Sequence, residues 1–306
     1  MIVTDSQVHV WWRVTPGARP HQTTPLTPSR LLSAMNGAGV DRAMALLPTW
    51  SADDNEILLS AVSKVPHRLA FIARLSPFEP ADREHVLTRW RHESFRGVRV
   101  ALHTENRLRT LADGTLDWLW QLADRADIPV MMYAPQGMHA IEALLAQQPA
   151  LRLILDHANL PTGARNQAAA TWITRLCRMA QYPNLAVKLS ALPRHFTTDY
   201  PASLLANSVR ALRDAFGVRR IFWGSDLTRL PCDYSTSVRQ MTEDLRPVWG
   251  DDIDWVMGRG ISEWLDWPPR QTPHRRLRPR RSTPTRRMPP EQQIRPPAPA
   301  TTDDST

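Results

Sequence analysis

The chain has 306 residues, a formal net charge of +8, 27 prolines and two cysteines. This length suffices for one large domain or two ordinary ones. The apolar runs are too short to cross a bilayer, and the N-terminus lacks a basic region followed by an apolar run, so we expect a cytoplasmic protein. Two isolated cysteines, Cys177 and Cys232, argue against a disulfide framework and fit a reducing compartment.

The positive charge is concentrated at the C-terminal end. Residues 268–306 contain nine arginines and three acidic residues, so they carry six of the eight net charges. Many prolines and almost no aliphatic side chains predict a disordered Pro/Arg-rich tail after a single domain over 1–267. Arginines could contact RNA or anionic surfaces. Because no aromatic residues are interleaved with them, we expect no specific nucleic-acid site and no membrane binding.

Short apolar strands alternate with amphipathic helices over the first 267 residues. The first strand lies within 4–10, and Thr27-Pro28-Ser29 begins a helix that ends at Gly39. The other predicted strands are 43–47, 69–75, 97–102, 129–133, 151–156, 185–189 and 220–223. The helices between them are 55–65, 81–91, 118–126, 139–147, 171–179 and 203–216.

Eight such strands predict an α/β protein, a closed parallel (β/α)8 or TIM barrel with right-handed crossovers. An open doubly wound sheet is the alternative. No Gly-x-Gly-x-x-Gly follows any strand, which leaves a dinucleotide site poorly supported.

Polar side chains occur where the apolar strands end, which in a TIM barrel is the active-site face. Asp5, Gln7 and His9 alternate along one face of the first strand. Later strands end near Arg74, Arg99, His157, Lys188, Asp226 and Arg229. Their shared position predicts that these groups converge on one site.

Each of these residues also has an ordinary structural interpretation. His157 could be a hydrogen-bonded core histidine, Asp226 a helix N-cap, and Lys188 a side chain that extends to the barrel rim. By contrast, the histidines in loops or helices are expected at the surface: His103, His139 and His195.

Four motifs resemble the amidohydrolase-related (amidohydrolase 2) family of the amidohydrolase superfamily. They are Asp-Ser-Gln-Val-His at 5–9, Leu-Asp-His-Ala-Asn at 155–159, Val-Lys-Leu-Ser at 187–190 and Trp-Gly-Ser-Asp at 223–226. The segment 257–265 is similar to the start of the family's last helix. The resemblance spans nearly all of residues 1–267 and implies a metal-dependent-hydrolase-like barrel. Its members include lactonases, the branch we favour, and metal-dependent decarboxylases of aromatic acids.

The resemblance implies that His9, His157 and Asp226 would hold a divalent metal, zinc or manganese, if one is bound. Two of the family's nitrogen ligands are missing, because Gln7 replaces a first-strand histidine and the fifth strand ends in Met132-Tyr133-Ala134. An amide is a weak ligand for zinc. The residues therefore favour metal-independent chemistry, which some lactonases of the family use, while the cofactor stays open.

These residues predict hydrolysis of a lactone or similar ester. Asp226 would act as general base on a water, while His9 and His157 polarise the carbonyl. The predicted substrate-binding residues are Gln7, Arg74, Arg99, Lys188 and Arg229, whose positive charges suit a small carboxylated substrate. Two alternatives are a metal-dependent decarboxylase of an aromatic acid and a non-catalytic barrel that binds a small acid. A homodimer is one expected assembly.

Overall fold

Eight parallel strands form one sheet in the order β1 to β8. The computed structural model describes residues 1–14, 20–76, 78, 92–197 and 202–267. The strands are Thr4–His9 (β1), Arg42–Leu46 (β2), Leu69–Leu75 (β3), Phe95–Ala101 (β4), Val130–Tyr133 (β5), Leu153–Leu155 (β6), Leu185–Ser190 (β7) and Ile221–Gly224 (β8). Beyond β8, the backbone N–H of Asp226 donates to the carbonyl of Gln7 at 2.9 Å. This contact brings β8 back to β1, and the predicted TIM barrel is confirmed.

Helices lie between the other neighbouring strands in the expected alternation, while most of the β3–β4 connection lies outside the described residues. In the described part of the chain the α-helices are Pro28–Ala38, Asn55–Val62, Glu105–Arg109, Asp117–Ala126, Met138–Gln147, Asn166–Cys177, Ala202–Phe216, Tyr234–Arg239, Arg246–Trp249 and Gly260–Trp264. None of the described helices is long and apolar enough to span a bilayer. The predicted helix 81–91 and the predicted tail 268–306 lie outside the described residues.

The first helix begins and ends where the sequence indicates. The Thr27 side chain accepts a hydrogen bond from the Arg30 N–H, Pro28 occupies the first turn, and Gly39 ends the helix with a left-handed φ of 71°. The helix predicted over 171–179 instead begins at Asn166. Its first turns are rich in alanine, whose small side chains give a weak amphipathic signal although alanine favours helix.

Side chains from the strands form two hydrophobic cores. On β2, Ala43 and Ala45 belong to the core between the barrel and the helices, whereas Met44 and Leu46 belong to an inner core. This alternation is the period of a strand. Ile261, Leu265 and Trp267 complete the inner core, and the Trp267 indole N–H donates to the carbonyl of Pro66, just before β3. The end of the described chain thus closes the barrel at the N-terminal ends of the strands.

Gly224→Ala tests the close packing where β8 meets β1 and β7. A Cβ at Gly224 would lie 2.8 Å from Ser6 Oγ and 3.1 Å from both Gln7 Cβ and Ser190 Cβ. We expect the free energy of unfolding, measured by urea denaturation, to fall by about 1–3 kcal/mol because these strands have no room to separate.

Gly37→Ala is the matched control. Gly37 lies in a helix, with nothing within 4 Å of the added Cβ. This variant should be stabilised by about 0.5–1 kcal/mol. Equal changes in both variants would contradict the packing assigned to Gly224.

Candidate active site

A buried carboxylate on β1 holds the loop that follows β8 through hydrogen bonds. Asp5 accepts hydrogen bonds from the Ser225 N–H at 2.9 Å, from the Ser225 hydroxyl, from the Tyr234 hydroxyl at 2.6 Å and from the Gln7 N–H at 3.0 Å. With four donors, this carboxylate is fully satisfied. Asp5 therefore positions the chain one residue before Asp226.

The backbone turns into the left-handed region just after three neighbouring strands. His157, Ala191 and Asp226 have φ values of 55°, 57° and 54°. Side chains other than glycine rarely adopt this conformation, and such residues cluster at functional sites. Hydrogen bonds hold two of the three in place: the His157 N–H donates to Ser190 Oγ at 3.2 Å, and the Asp226 N–H donates to Gln7 as described. The backbone conformation at these strand ends thus fixes the positions of His157 and Asp226.

A charged network crosses the barrel beneath these turns. Lys188 Nζ lies 3.0 Å from Asp156 Oδ1 and donates to Gln7 Oε1 at 2.8 Å. Arg99 Nε donates to the other Asp156 oxygen at 2.6 Å. Burial by itself would raise the pKa of Asp156, but Lys188 and Arg99 outweigh it and hold the pKa below its usual range. All four side chains are buried, so the network links β1, β4, β7 and the end of β6.

Asp226 is also buried, but its carboxylate makes no comparable contacts. The residue is 1 % exposed. Its Oδ1 lies 3.6 Å from His9 Nε2 and its Oδ2 lies 3.7 Å from Arg229 Nε, both too long for a hydrogen bond. In the described part of the chain Oδ1 has no hydrogen-bond donor. Burial raises the pKa of Asp226 to about 6 although Arg229 and Arg99 oppose the shift.

Two neutral histidines lie beside this carboxylate. His157 Nδ1 is 2.8 Å from Ser190 Oγ, and the imidazole meets the Tyr133 ring edge-on at 5.5 Å between centroids. Burial lowers the pKa of His157 to about 3 even though Asp156 opposes the shift. Burial, reinforced by Arg99, also lowers the pKa of His9 well below its usual value. Both imidazoles are therefore neutral at neutral pH and can donate one N–H each.

Two pockets meet at these groups. The large pocket, about 480 Å³, is lined by His9, Trp11, His21, Gln22, Pro48, Thr49, Trp50, Arg99, Ala101, His103, Tyr133, His157, Thr162, Thr228 and Arg229. The small pocket, about 30 Å³, is lined by Tyr133, His157, Leu160, Thr162, Gly163, Arg165, Ala191, Arg194, His195, Asp226 and Arg229. His9 lines the large pocket and Asp226 lines the small one, but the two pockets share four wall residues. The two side chains are 3.6 Å apart, so the pockets join at this point.

The structure brings most of the predicted site residues together. His9, His157, Asp226, Arg99 and Arg229 all line one or both pockets. The other three, which lie elsewhere, are Gln7, Lys188 and Arg74. Gln7 and Lys188 are fully buried and are bound to each other in the network below the pockets.

The third predicted substrate-binding residue that does not line either pocket is Arg74. Its guanidinium donates to the carbonyls of Pro48, Ser51 and Asp53. Arg74 therefore supports the loop after β2, whose Trp50 packs edge-on against Trp11 at 5.3 Å between centroids. That aromatic pair forms part of the wall of the large pocket.

Sequence reasoning missed several residues at the pockets. Trp11, Trp50 and Tyr133 form aromatic walls, and His103, which is exposed as expected, also lines the large pocket. His195, also expected at the surface, is 7 % exposed. Loop residues follow no periodicity, so their burial gives no signal in the sequence. Among these residues, only Tyr133 had a signal in the sequence, because it ends a predicted strand.

The donors present fit a resident metal poorly. Within the described ranges, no group of three His, Cys, Asp or Glu side chains is arranged to hold a metal ion. The Nδ1 atom of His157 is engaged by Ser190, and the positive charges of Arg99 and Arg229 act on the same histidine. A divalent cation would be repelled by these charges. Whether zinc or manganese binds stays a prediction.

The chain belongs to the amidohydrolase family. Residues 4–292 match the family described as Amidohydrolase, so the resemblance seen in the motifs is confirmed. Membership of this family supports a hydrolase but does not define its substrate.

Three known proteins are similar to this chain. An L-fucono-1,5-lactonase from Burkholderia ambifaria is 27% identical over 240 residues, which cover 72% of this chain and 79% of the lactonase. The crystal structure of a zinc-bound amidohydrolase from Burkholderia multivorans has a TM-score of 0.75 at 21% identity, covering 88% of this chain and 100% of the other. A probable 2-pyrone-4,6-dicarboxylic acid hydrolase from Acinetobacter baumannii, with citric acid bound, has a TM-score of 0.70 at 15% identity, covering 87% and 100%. The two structures establish the shared fold.

Asp156→Asn tests the buried network. The variant removes the charge that balances Lys188 and Arg99, and buried cations left without a partner cost about 3–5 kcal/mol. We expect the free energy of unfolding to fall by that amount in chemical denaturation.

Glu105→Gln is the control for the network. Glu105 pairs with Arg109 at 2.5 Å, but both side chains are exposed, at 81% and 64%. Loss of such a surface pair changes the free energy of unfolding by at most about 1 kcal/mol. A similar small change in Asp156→Asn would show that the buried network contributes little to stability.

Proposed function

We propose that the protein hydrolyses a lactone or closely related ester, with Asp226 as general base. The observation that carries this proposal is a buried carboxylate whose Oδ1 has no hydrogen-bond donor among the described residues and lies 3.6 Å from Nε2 of His9, a neutral imidazole. At this distance a water or a substrate atom can lie beside the pair, within hydrogen-bond distance of both groups. A buried polar atom without a hydrogen-bond partner needs an explanation, and a bound water or substrate atom would supply one at Asp226.

Each side chain has a defined part in the reaction. Asp226 accepts a proton from water as the water oxygen attacks the lactone carbonyl. The neutral N–H groups of His9 and His157 stabilise the developing oxyanion. Ser190 Oγ accepts from the His157 backbone N–H, so its own hydrogen can donate to Nδ1 and leave the ring proton on Nε2. As the ring C–O bond breaks, the leaving oxygen takes the proton back from Asp226.

The large pocket supports a ring-shaped substrate that carries a carboxylate. Trp11, Trp50 and Tyr133 offer flat apolar surfaces, and Arg99 and Arg229 offer cationic donors. Guanidinium groups bind carboxylates through paired hydrogen bonds. The similarity to an L-fucono-1,5-lactonase adds sugar-acid lactones to the carboxylated lactones worth testing.

Asp226→Asn should abolish most of the activity. Removing a general base lowers kcat by about 100- to 10,000-fold, measured on a panel of sugar-acid lactones and carboxylated pyrones. Asp251→Asn, at an exposed position, is the control and should retain wild-type kcat. If the Asp226 variant turns over the same lactones at the wild-type rate, Asp226 is not the base.

The rate of hydrolysis should fall at acidic pH, because Asp226 becomes protonated. The base works only when ionised, and the pKa of Asp226 is raised to about 6. We therefore expect log kcat/KM to decline as the pH falls below about 6 and to level off above it. His9 and His157 stay neutral over this range because their pKa values are lowered. A rate that does not change between pH 5 and 7 would contradict this assignment.

A further inference from the structure

A third buried histidine, which has no part in the proposed reaction, lies at the small pocket. His195 follows the short 3-10 helix Leu192–Arg194 after β7. Its carbonyl accepts from the Asn166 N–H at 2.7 Å, and Asn166 Oδ1 accepts from the Thr197 N–H at 3.0 Å. The Asn166 contacts hold the loop on both sides of the imidazole. A loop constrained in this way can place a side chain precisely.

The hydrogen bond at one ring nitrogen determines what the other can do. His195 Nδ1 lies 2.9 Å from the carbonyl oxygen of Ala164. A carbonyl only accepts, so Nδ1 carries the hydrogen and Nε2 presents a lone pair. Burial lowers the pKa of His195 to about 4, so the ring stays neutral. Within the described residues the ring makes its hydrogen bond through Nδ1, and Nε2 is left as an acceptor for a ligand.

The small pocket has the size and the polarity for a water molecule. Its volume of about 30 Å³ exceeds the roughly 10–15 Å³ that one water needs, and a bound water requires at least two polar partners. Asp226 and His195 both line this pocket, and both are acceptors. A water donates two hydrogens, so it can satisfy both acceptors at once.

We propose that His195 is a further catalytic residue, which holds the attacking water through Nε2 while Asp226 takes the water's proton. This inference rests on the proposed hydrolysis. One O–H of the water donates to His195 and stays covalent throughout, whereas the other breaks and its proton passes to Asp226. The freed electron pair forms the new C–O bond at the lactone carbon in the adjoining large pocket. His195 itself neither gains nor loses a proton.

Two substitutions separate this role from a structural one. In His195→Asn, the amide nitrogen can replace Nδ1 in the hydrogen bond to Ala164, but no atom reaches the position of Nε2. In His195→Gln, the amide oxygen can reach the position of Nε2, but the hydrogen bond to Ala164 is lost. We expect kcat for lactone hydrolysis to fall about 100-fold in the Asn variant with KM within about twofold of wild type. The Gln variant should keep most of kcat and show a lower Tm.

His139→Asn is the control for the same substitution, because His139 is exposed on the helix Met138–Gln147. It should match the wild type in kcat and Tm. If kcat is kept in His195→Asn but lost in His195→Gln, His195 is structural and the inference is overturned. Full activity in both His195 variants, with Asp226→Asn inactive, also overturns it while leaving the proposed hydrolysis intact.

A high-resolution crystal structure gives a readout that needs no substrate. An ordered water within hydrogen-bond distance of both Asp226 and His195 Nε2 in the wild type, lost in His195→Asn, supports the inference. A wild-type small pocket without such a water overturns it. If the wild type turns over no lactone or ester of the panel, the proposed function fails, and the catalytic role of His195 fails with it.

Discussion

The ion network around Asp156 is the interaction on which the rest of the site depends. A carboxylate at the end of β6 accepts from Arg99 on β4 and pairs with Lys188 on β7, so three strands share one buried charge. Taking charges out of water is costly, and the two hydrophobic cores on either side of the sheet offset that cost. Lys188 also orients Gln7, because an ammonium group only donates and therefore selects the amide oxygen.

Three buried aspartates occupy three different environments in one barrel. Asp5 is surrounded by hydrogen-bond donors and Asp156 by two cations, so neither has capacity left for chemistry. The Oδ1 atom of Asp226 has no hydrogen-bond donor among the described residues, and burial raises the pKa of Asp226 to about 6. Carboxyl groups in different environments have different pKa values and can therefore have different roles in one protein. The first two aspartates thus stabilise the strand ends around the third.

The fold shared with the zinc-bound amidohydrolase of Burkholderia multivorans does not define the chemistry of this chain, because function resides in the side chains at the site. Here, the first-strand position of Gln7 is tied to a buried ammonium, and β5 ends in Tyr133, whose ring packs against His157. Both positions contribute packing or orientation in place of imidazole donors. The site of this chain therefore combines two neutral histidines with a buried carboxylate whose Oδ1 has no hydrogen-bond donor among the described residues.

The sequence alone was enough to predict the barrel, the order of its strands and the convergence of three polar side chains at the strand ends. Alternation of apolar strands and amphipathic helices is a local property, and the rule that strand ends share one face placed His9, His157 and Asp226 together. The partner of each charged group was decided only by the tertiary structure. Lys188 binds Asp156 rather than facing a pocket, Arg74 supports a loop, and His195 is buried, because periodicity specifies the face of a strand but not which distant residues meet across the barrel.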